Sequence, residues 1–460
     1  MIMVRTHSQA ELNGAIALLV KSLGLRGGET LAVFFDETSE QVSQLISFAA
    51  SQLGILTLLR QVSREAQSRF LKGDELPLED SSALSEALAV ITCLGDHTDG
   101  LAYRRALISF GTSTDKRMAH MPGALPEFFR DAIDVDYEPL IRKCDELAIV
   151  LAVGSEAVVR TYIHDEGGLP VEEHVLRFQL GGMKRLPVIS TGLISPGTWG
   201  NVPGAETFIA PIEGTAHGTY VVNGSFTDCV ISGRSRILLT FSQGNLSKFD
   251  GTPDVLPKFV ELMESLPRMP EGTVLGLAEF GIGTNPAVQK LVGKSLIDEK
   301  CLGTAHIAIG GNISYGGKLN APAHEDFVTR FPSIEIDGKM ILYHGKDKFV
   351  GREWRESVTE VEVAPAALRR NTQVRRTFTS AEVGDESLKV RRIFRAERLC
   401  SYTVGEPSTS KLLSRVYRQI PNLPGLLEVG DLIRSTGMAP DLLGATLTIL
   451  HRHELVELKE

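Results

Sequence analysis

Helix and strand patterns alternate through the first third of this chain, and that alternation constrains the fold more than any other feature. "SQAELNGAIALLVKSL" carries apolar residues at helical spacing behind Ser8, with Glu11 three residues on as in a capping box. "GGETLAVFF" reads as a short buried strand, and "SEQVSQLISFAASQLG" as a second helix closed by Gly54. "ILTLLRQV" is a further strand, "SSALSEALA" a helix and "LAVITCLG" a strand again. Strands that alternate with helices pair in parallel, because a parallel neighbour needs a crossover of helix length. Residues 1–140 are therefore expected to form an α/β domain. Its glycines show no GxGxxG or Walker spacing, so no nucleotide site is read into it.

From about residue 145 the texture changes. "ELAIVLAVG", "RLPVIST", "ETFIAPIE", "GTYVVNGSF", "SRILLTFSQG", "TVLGLAEFG" and "AHIAIGGN" are short β-rich runs bounded by Gly, Pro, Asn and Asp. Helices are expected at "VLPKFVELMESL" and "PAVQKLVGKSL", giving an α+β domain over 141–350. Residues 351–402 form a basic connecting segment, in which "ALRRNTQVRR" and "KVRRIFRAER" crowd arginines; a solvated, paired face is the simplest account of it. Residues 403–460 read as three helices, "TSKLLSRVYRQI", "LLEVGDLIRSTG" and "APDLLGATLTILHRHELVELKE", in winged-helix-like proportions, with "ELVEL" placed to begin a wing. The stretch "PDLLGATLTILHR" offers few basic or amide side chains to base edges, which favours protein or peptide docking, or plain packing, over DNA readout.

At 460 residues the chain exceeds a single comfortable core, in keeping with several domains. A formal net charge of −9 speaks against a nucleic-acid binder, which needs a basic footprint. The five cysteines are isolated and odd in number, a pattern of reduced thiols rather than a disulfide framework. No secretory signal is seen at the N-terminus, and no uncharged apolar run approaches the ~20 residues of a bilayer span. A soluble, cytoplasmic protein is expected.

The chemistry concentrates in the second domain. "PGAETFIAP" sets Glu206 before an apolar strand, and "GLAEFGIGTNP" sets Glu279 in an otherwise uncharged segment. His306 lies between "GTA" and "IAIGG", and His324 and Asp326, two apart, point the same way if their segment is extended. Each alone is ambiguous: a lone carboxylate can pair with a buried arginine, and a lone histidine can be a satisfied core residue. Together they amount to five polar groups where apolar residues are expected, and a buried ion costs several kcal/mol unless compensated. Few arginines or lysines lie in the same stretches. One or two divalent cations would neutralise three carboxylates and take two imidazoles as ligands. A set with no cysteine suits Zn²⁺, Co²⁺ or Mn²⁺.

"PGAETFIAPIEGTAHGT", "EFGIGTNP", "GTAHIAIGGNISYGG" and "AHEDFV" resemble, in order and spacing, the motifs of the thermophilic metalloaminopeptidases of the aminopeptidase T type, over roughly residues 10–350. The resemblance implies a dinuclear centre of two divalent metal ions on Glu206, Glu279, His306, His324 and Asp326, with Glu279 and Tyr315 in catalytic roles. It implies hydrolysis by metal-activated water at the N-terminal bond of a peptide with a free N-terminus, with Tyr315 donating to the developing oxyanion, and a homodimer.

Two other functions belong to the same scaffold. A related branch, the ring-opening dihydroxypyridine dioxygenases, holds one non-haem Fe(II), and "GTWGNVPGAE" and "MPGALPEFFRDAIDVDY" resemble it. Alternatively, the C-terminal module serves a pathway-specific peptide-binding or maturation protein with an altered site. That module weakly resembles the small winged-helix elements that hold leader peptides.

Overall fold

The structure, a computed structural model, describes residues 7–71, 73–165, 169–181, 185, 187–266 and 275–347, with three short strands beyond them. The N-terminal region is the α/β unit that the alternation predicts. Ser8 Oγ accepts from Glu11 N at 3.2 Å, and the Glu11 carboxylate accepts from Ser8 N at 2.7 Å. This reciprocal cap starts the helix Gln9–Ala17. The strands Thr30–Phe35, Leu56–Gln61, Ala89–Thr92 and Arg117–His120 pair in parallel around the first of them. A fifth parallel strand, Trp199–Asn201, joins beside His120, so the chain returns to this sheet from well beyond residue 140.

Two antiparallel sheets make up the second region. One has eight strands and is built around the long hairpin Glu156–His164 and Pro170–Gln179. The other has seven, with Glu206–Ile209, Leu277–Gly283, Thr304–Gly310 and His324–Arg330 as consecutive neighbours at its centre. The sheets share one apolar core: Leu176, Phe178, Tyr220 and Leu239 from the first pack with Phe280, Ile307, Ile309 and Phe327 from the second. Tyr220 reaches across and donates to the Ala305 carbonyl at 3.2 Å. Alternation along each strand then leaves the opposite face of the seven-stranded sheet free for polar side chains.

Two expectations of local structure are corrected. "ELAIVLAVG" is not a strand but the end of the helix Tyr137–Val153, which opens with Asp136 accepting from Glu138 N at 3.2 Å. A continuous apolar run reads as either element, and here the amphipathic "YEPLIRKCDE" ahead of it supplies the first helical turns. "PAVQKLVGKSL" forms turns and only the short helix Ser295–Asp298. Asp298 accepts from Val292 N at 2.7 Å and Gly293 N at 2.8 Å, folding the segment back on itself. Leu296, Ile297 and Cys301 of this segment bury in the N-terminal core beside Leu19, Ile46 and Phe129, tying the two regions together.

Most of the expected winged-helix module and of the basic connecting segment lies outside the described residues. Of them the structure describes Gln373–Arg376, which pairs antiparallel with Leu427–Glu428 and with Val456–Lys459. The last falls within the expected wing. Leu427–Glu428, placed at the start of the second expected helix, is extended instead. Among the described residues no helix is long and apolar enough to cross a membrane. Cys93, Cys144, Cys229 and Cys301 are all buried free thiols.

Candidate metal centre

Register brings the expected ligands together. In the seven-stranded sheet Glu206 pairs with Gly283, Gly281 with His306, and Ala308 with both Glu279 and Asp326, while His324 pairs with Gly310. Directly opposed residues of an antiparallel pair share a face. Glu206, Glu279, His306, His324 and Asp326, from four adjacent strands, therefore stand on the face turned away from the shared core. Ala205, immediately before Glu206, is held at φ 85°, a left-handed conformation unusual for a residue with a side chain.

The side chains converge. His306 Nε2 lies 3.1 Å from Glu279 Oε1 and 3.7 Å from Glu206 Oε2. His324 Nε2 lies 3.5 Å from Glu279 Oε2 and 3.5 Å from Asp326 Oδ1. Donor atoms of Glu279, His306 and Asp326 all lie within 4.8 Å of one another, as do those of Glu206, Glu299 and His306. Gly281 makes this possible. A Cβ at that position would overlap the His306 imidazole, so only glycine leaves the ring its place opposite the Glu279 strand.

The histidines are fixed in different ways. His306 is fully buried, whereas the His324 side chain is 34% exposed and marks the open side of the cluster. His324 Nδ1 sits 3.1 Å from the Gly311 carbonyl, so the ring donates there and turns Nε2 toward Glu279 and Asp326. Burial by itself lowers both imidazoles. The hydrogen bond to Glu279 and the surrounding carboxylates nevertheless lift His306 to about 9, and Asp326 with Glu279 lifts His324 to about 10. Burial raises Asp326, but the neighbouring His324 imidazole outweighs it and holds that carboxyl below the usual range.

Tyr315 belongs to the same place. Its short helical turn Ile313–Tyr315 follows the His306 strand, and its hydroxyl lies 3.4 Å from His324 Nδ1. The ring packs edge-on against Phe208, which shares the ligand face, at 5.4 Å between centroids. Burial, then the charges of Glu279 and Asp326, push the phenol well above its ordinary range, so it remains a hydrogen-bond donor. Glu325, between His324 and Asp326, points to the opposite face by strand alternation. There it accepts from Thr227 Oγ1 at 2.8 Å, while burial and the charge of Asp326 raise its carboxyl to about 7 against the lowering pull of Thr227 and His324.

Several residues that complete the site were not legible as functional. Lys300 is 0% exposed, and its ammonium donates to Glu206 Oε1 at 2.7 Å and to Glu299 Oε1. The expectation that lysine is scarce near the carboxylates fails here, because "DEKCLG" reads as a charged turn while tertiary packing carries it inside. Asn312, also 0% exposed, donates to the Ala278 carbonyl at 3.2 Å and accepts from Leu319 N at 2.8 Å. The Arg185–Glu213 pair grips the same loop, Arg185 at the Gly316 carbonyl and Glu213 at Lys318 N. These contacts hold Tyr315 over the ligand face.

The donor set fits a divalent cation. Among the described residues, Glu206 Oε2 and Asp326 Oδ1 are buried carboxylate oxygens without a hydrogen-bond partner, the first 3.7 Å from His306 Nε2 and the second 3.5 Å from His324 Nε2. Buried oxygens of this kind are rare unless something positive completes them.

No protein-family model matches the sequence, and no curated protein does. Solved structures do. The 2,5-dihydroxypyridine dioxygenase of Pseudomonas putida KT2440 superposes with a TM-score of 0.55 at 18% identity, over 75% of this chain and 99% of its own. Wild-type AmpT from Thermus thermophilus, an aminopeptidase T, superposes with a TM-score of 0.51 at 17% identity, over 74% of this chain and 99% of its own. At these identities the likeness is one of fold. The mixed α/β architecture is shared with two enzymes, and about a quarter of this chain lies beyond each match.

Proposed function

We propose that this protein is a metal-dependent enzyme, and that its reaction is aminopeptidase-like hydrolysis. One observation carries the reading: Glu279, His306, His324 and Asp326 meet on one sheet face, with a buried Asp326 oxygen left for a cation. A bound divalent ion there would supply Lewis-acid polarisation and a water activated near neutral pH. The protein's own part is to hold that ion with oxygen and imidazole donors. His324 is fixed in the required tautomer by the Gly311 carbonyl. Tyr315 offers a proton donor within reach of the open side, where an acyl oxygen would gain negative charge. The fold shared with an aminopeptidase supports this choice of substrate, and metal-dependent release of the N-terminal residue from short peptides tests it. Glu279→Gln and His324→Ala should abolish both metal content and hydrolysis. Full turnover with metal retained in either variant refutes the site.

A second reading has its own support. His306, His324 and Asp326 are two imidazoles and one carboxylate, the donor set suited to mononuclear Fe(II) chemistry with oxygen, and a dioxygenase shares the fold. Anaerobic purification separates the two. One iron per chain, with oxygen uptake on a dihydroxypyridine, would replace the peptidase assignment.

A further inference from the structure

Two groups of donors abut at His306, and they differ in one respect. The group of Glu279, His306 and Asp326, with His324 beside it, contains no lysine or arginine: among the described residues, Glu279 and Asp326 form ion pairs only with the two imidazoles, which can give up a proton to bind a metal ion. The group of Glu206, Glu299 and His306 already has one. Lys300 Nζ is bonded to both of its carboxylates and is wholly shielded from water. This placement is built by the backbone. On the ligand face directly opposite Glu206 stands Gly283, and a Cβ there would meet the Glu299 carbonyl oxygen and the Lys300 carbonyl carbon, each at 2.8 Å. The space a side chain would occupy is filled by the 299–301 turn, and the Lys300 carbonyl accepts from Asn285 N at 2.8 Å to pin it. Leu296, Ile297 and Cys301, buried in the N-terminal core, anchor the turn from behind.

We propose that the Lys300 ammonium stands where a second metal ion would sit, so that the centre holds a single divalent ion on Glu279, His306, His324 and Asp326. This deepens the functional reading above and rests on it. Glu206 is then not a ligand; it is the acceptor that fixes the lysine, with its second oxygen turned toward His306. A doubly charged ion placed on Glu206 and Glu299 would have to displace a buried cation from the two carboxylates to which it donates. Buried like charges at such separations repel strongly, because little water is present to screen them.

Cobalt(II) titration of the full chain, followed by elemental analysis and by electron paramagnetic resonance, decides the matter. One cobalt per chain with an uncoupled high-spin signal is expected. Glu206→Gln should still bind one cobalt, while Glu279→Gln and His324→Ala bind it at least a hundredfold more weakly. Lys300→Arg, which keeps the charge, should bind one, and Lys300→Met, which keeps the length and loses it, should bind two. Two spin-coupled cobalt ions in the wild type would overturn the assignment of Lys300 while leaving the metal centre intact. So would loss of the ion in a Glu206→Gln chain of native circular dichroism, or a natively folded Lys300→Met chain that still takes one. No cobalt in the wild type overturns the functional reading and this inference together.

Discussion

A single missing side chain decides whether the centre can assemble. Gly281 faces the His306 imidazole across the strand pair, and there is no room there for even a methyl group. Gly281→Ala should push the ring off Glu279, weaken cobalt binding at least tenfold and cost about 1–3 kcal/mol of stability, the usual range for an overpacked interior. Metal titration and urea unfolding of the variant measure the two effects. His120, on the parallel N-terminal sheet, offers a pH test. Burial, then the nearby Arg104, push its imidazole down to about 3, and Thr92 Oγ1 bonds Nδ1 at 2.8 Å. A depressed histidine leaves the unfolded chain binding more protons, so its contribution to stability is present above pH ~6.5 and lost as pH falls toward 3. His120→Gln should flatten that part of the pH–stability curve, and the wild-type ring should show no NMR titration between pH 8 and pH ~4.5.

Strand segments were the easiest elements to read, and the loops between them the hardest. Alternation in "AHIAIG" and "HEDFV" already places His306, His324 and Asp326 opposite the apolar residues that bury in the core, because side chains in a strand alternate by geometry alone. "ELAIVLAVG" defeated the same reasoning, since a uniformly apolar run has no period to read. The loop from Gly311 to Leu319 is organised by Asn312, which bonds to the neighbouring strand and to both ends of its own turn. Asn312→Ala would remove the side-chain partner of the Ala278 carbonyl and of Leu319 N, at about 1–3 kcal/mol. Amide exchange should speed up at residues 311–319 more than in the central strands, and turnover should fall through loss of the ordered Tyr315. Unchanged protection in this loop would contradict that role.

At the scale of the whole molecule, all the ligands lie between residues 206 and 326, and the described C-terminal strands pair only with one another. A chain ending at Asp347 should therefore fold and bind cobalt with the wild-type stoichiometry. Loss of folding in that truncation would show that the last segment supports the rest. The same scale explains the buried lysine. The turn carrying Lys300 reaches Glu206 only because its apolar residues enter the N-terminal core. Weakening that contact, for example by Ile297→Ala, should cost about 2–5 kcal/mol and loosen the Lys300–Glu206 pair, measurable as denaturant stability and as a change in cobalt stoichiometry.

The parallel N-terminal sheet, the five candidate ligands and the strands that carry them follow from sequence, because period, capping and turn chemistry are local and act wherever the chain goes. What tertiary structure alone decided was the partnering. Register across four strands brought Glu206 and Glu279 to histidines up to 100 positions away. Packing of a turn into a distant core delivered Lys300 to Glu206 and gave that carboxylate a cation of its own. Burial of a charge depends on which surfaces meet, and no local pattern in "DEKCLG" records that.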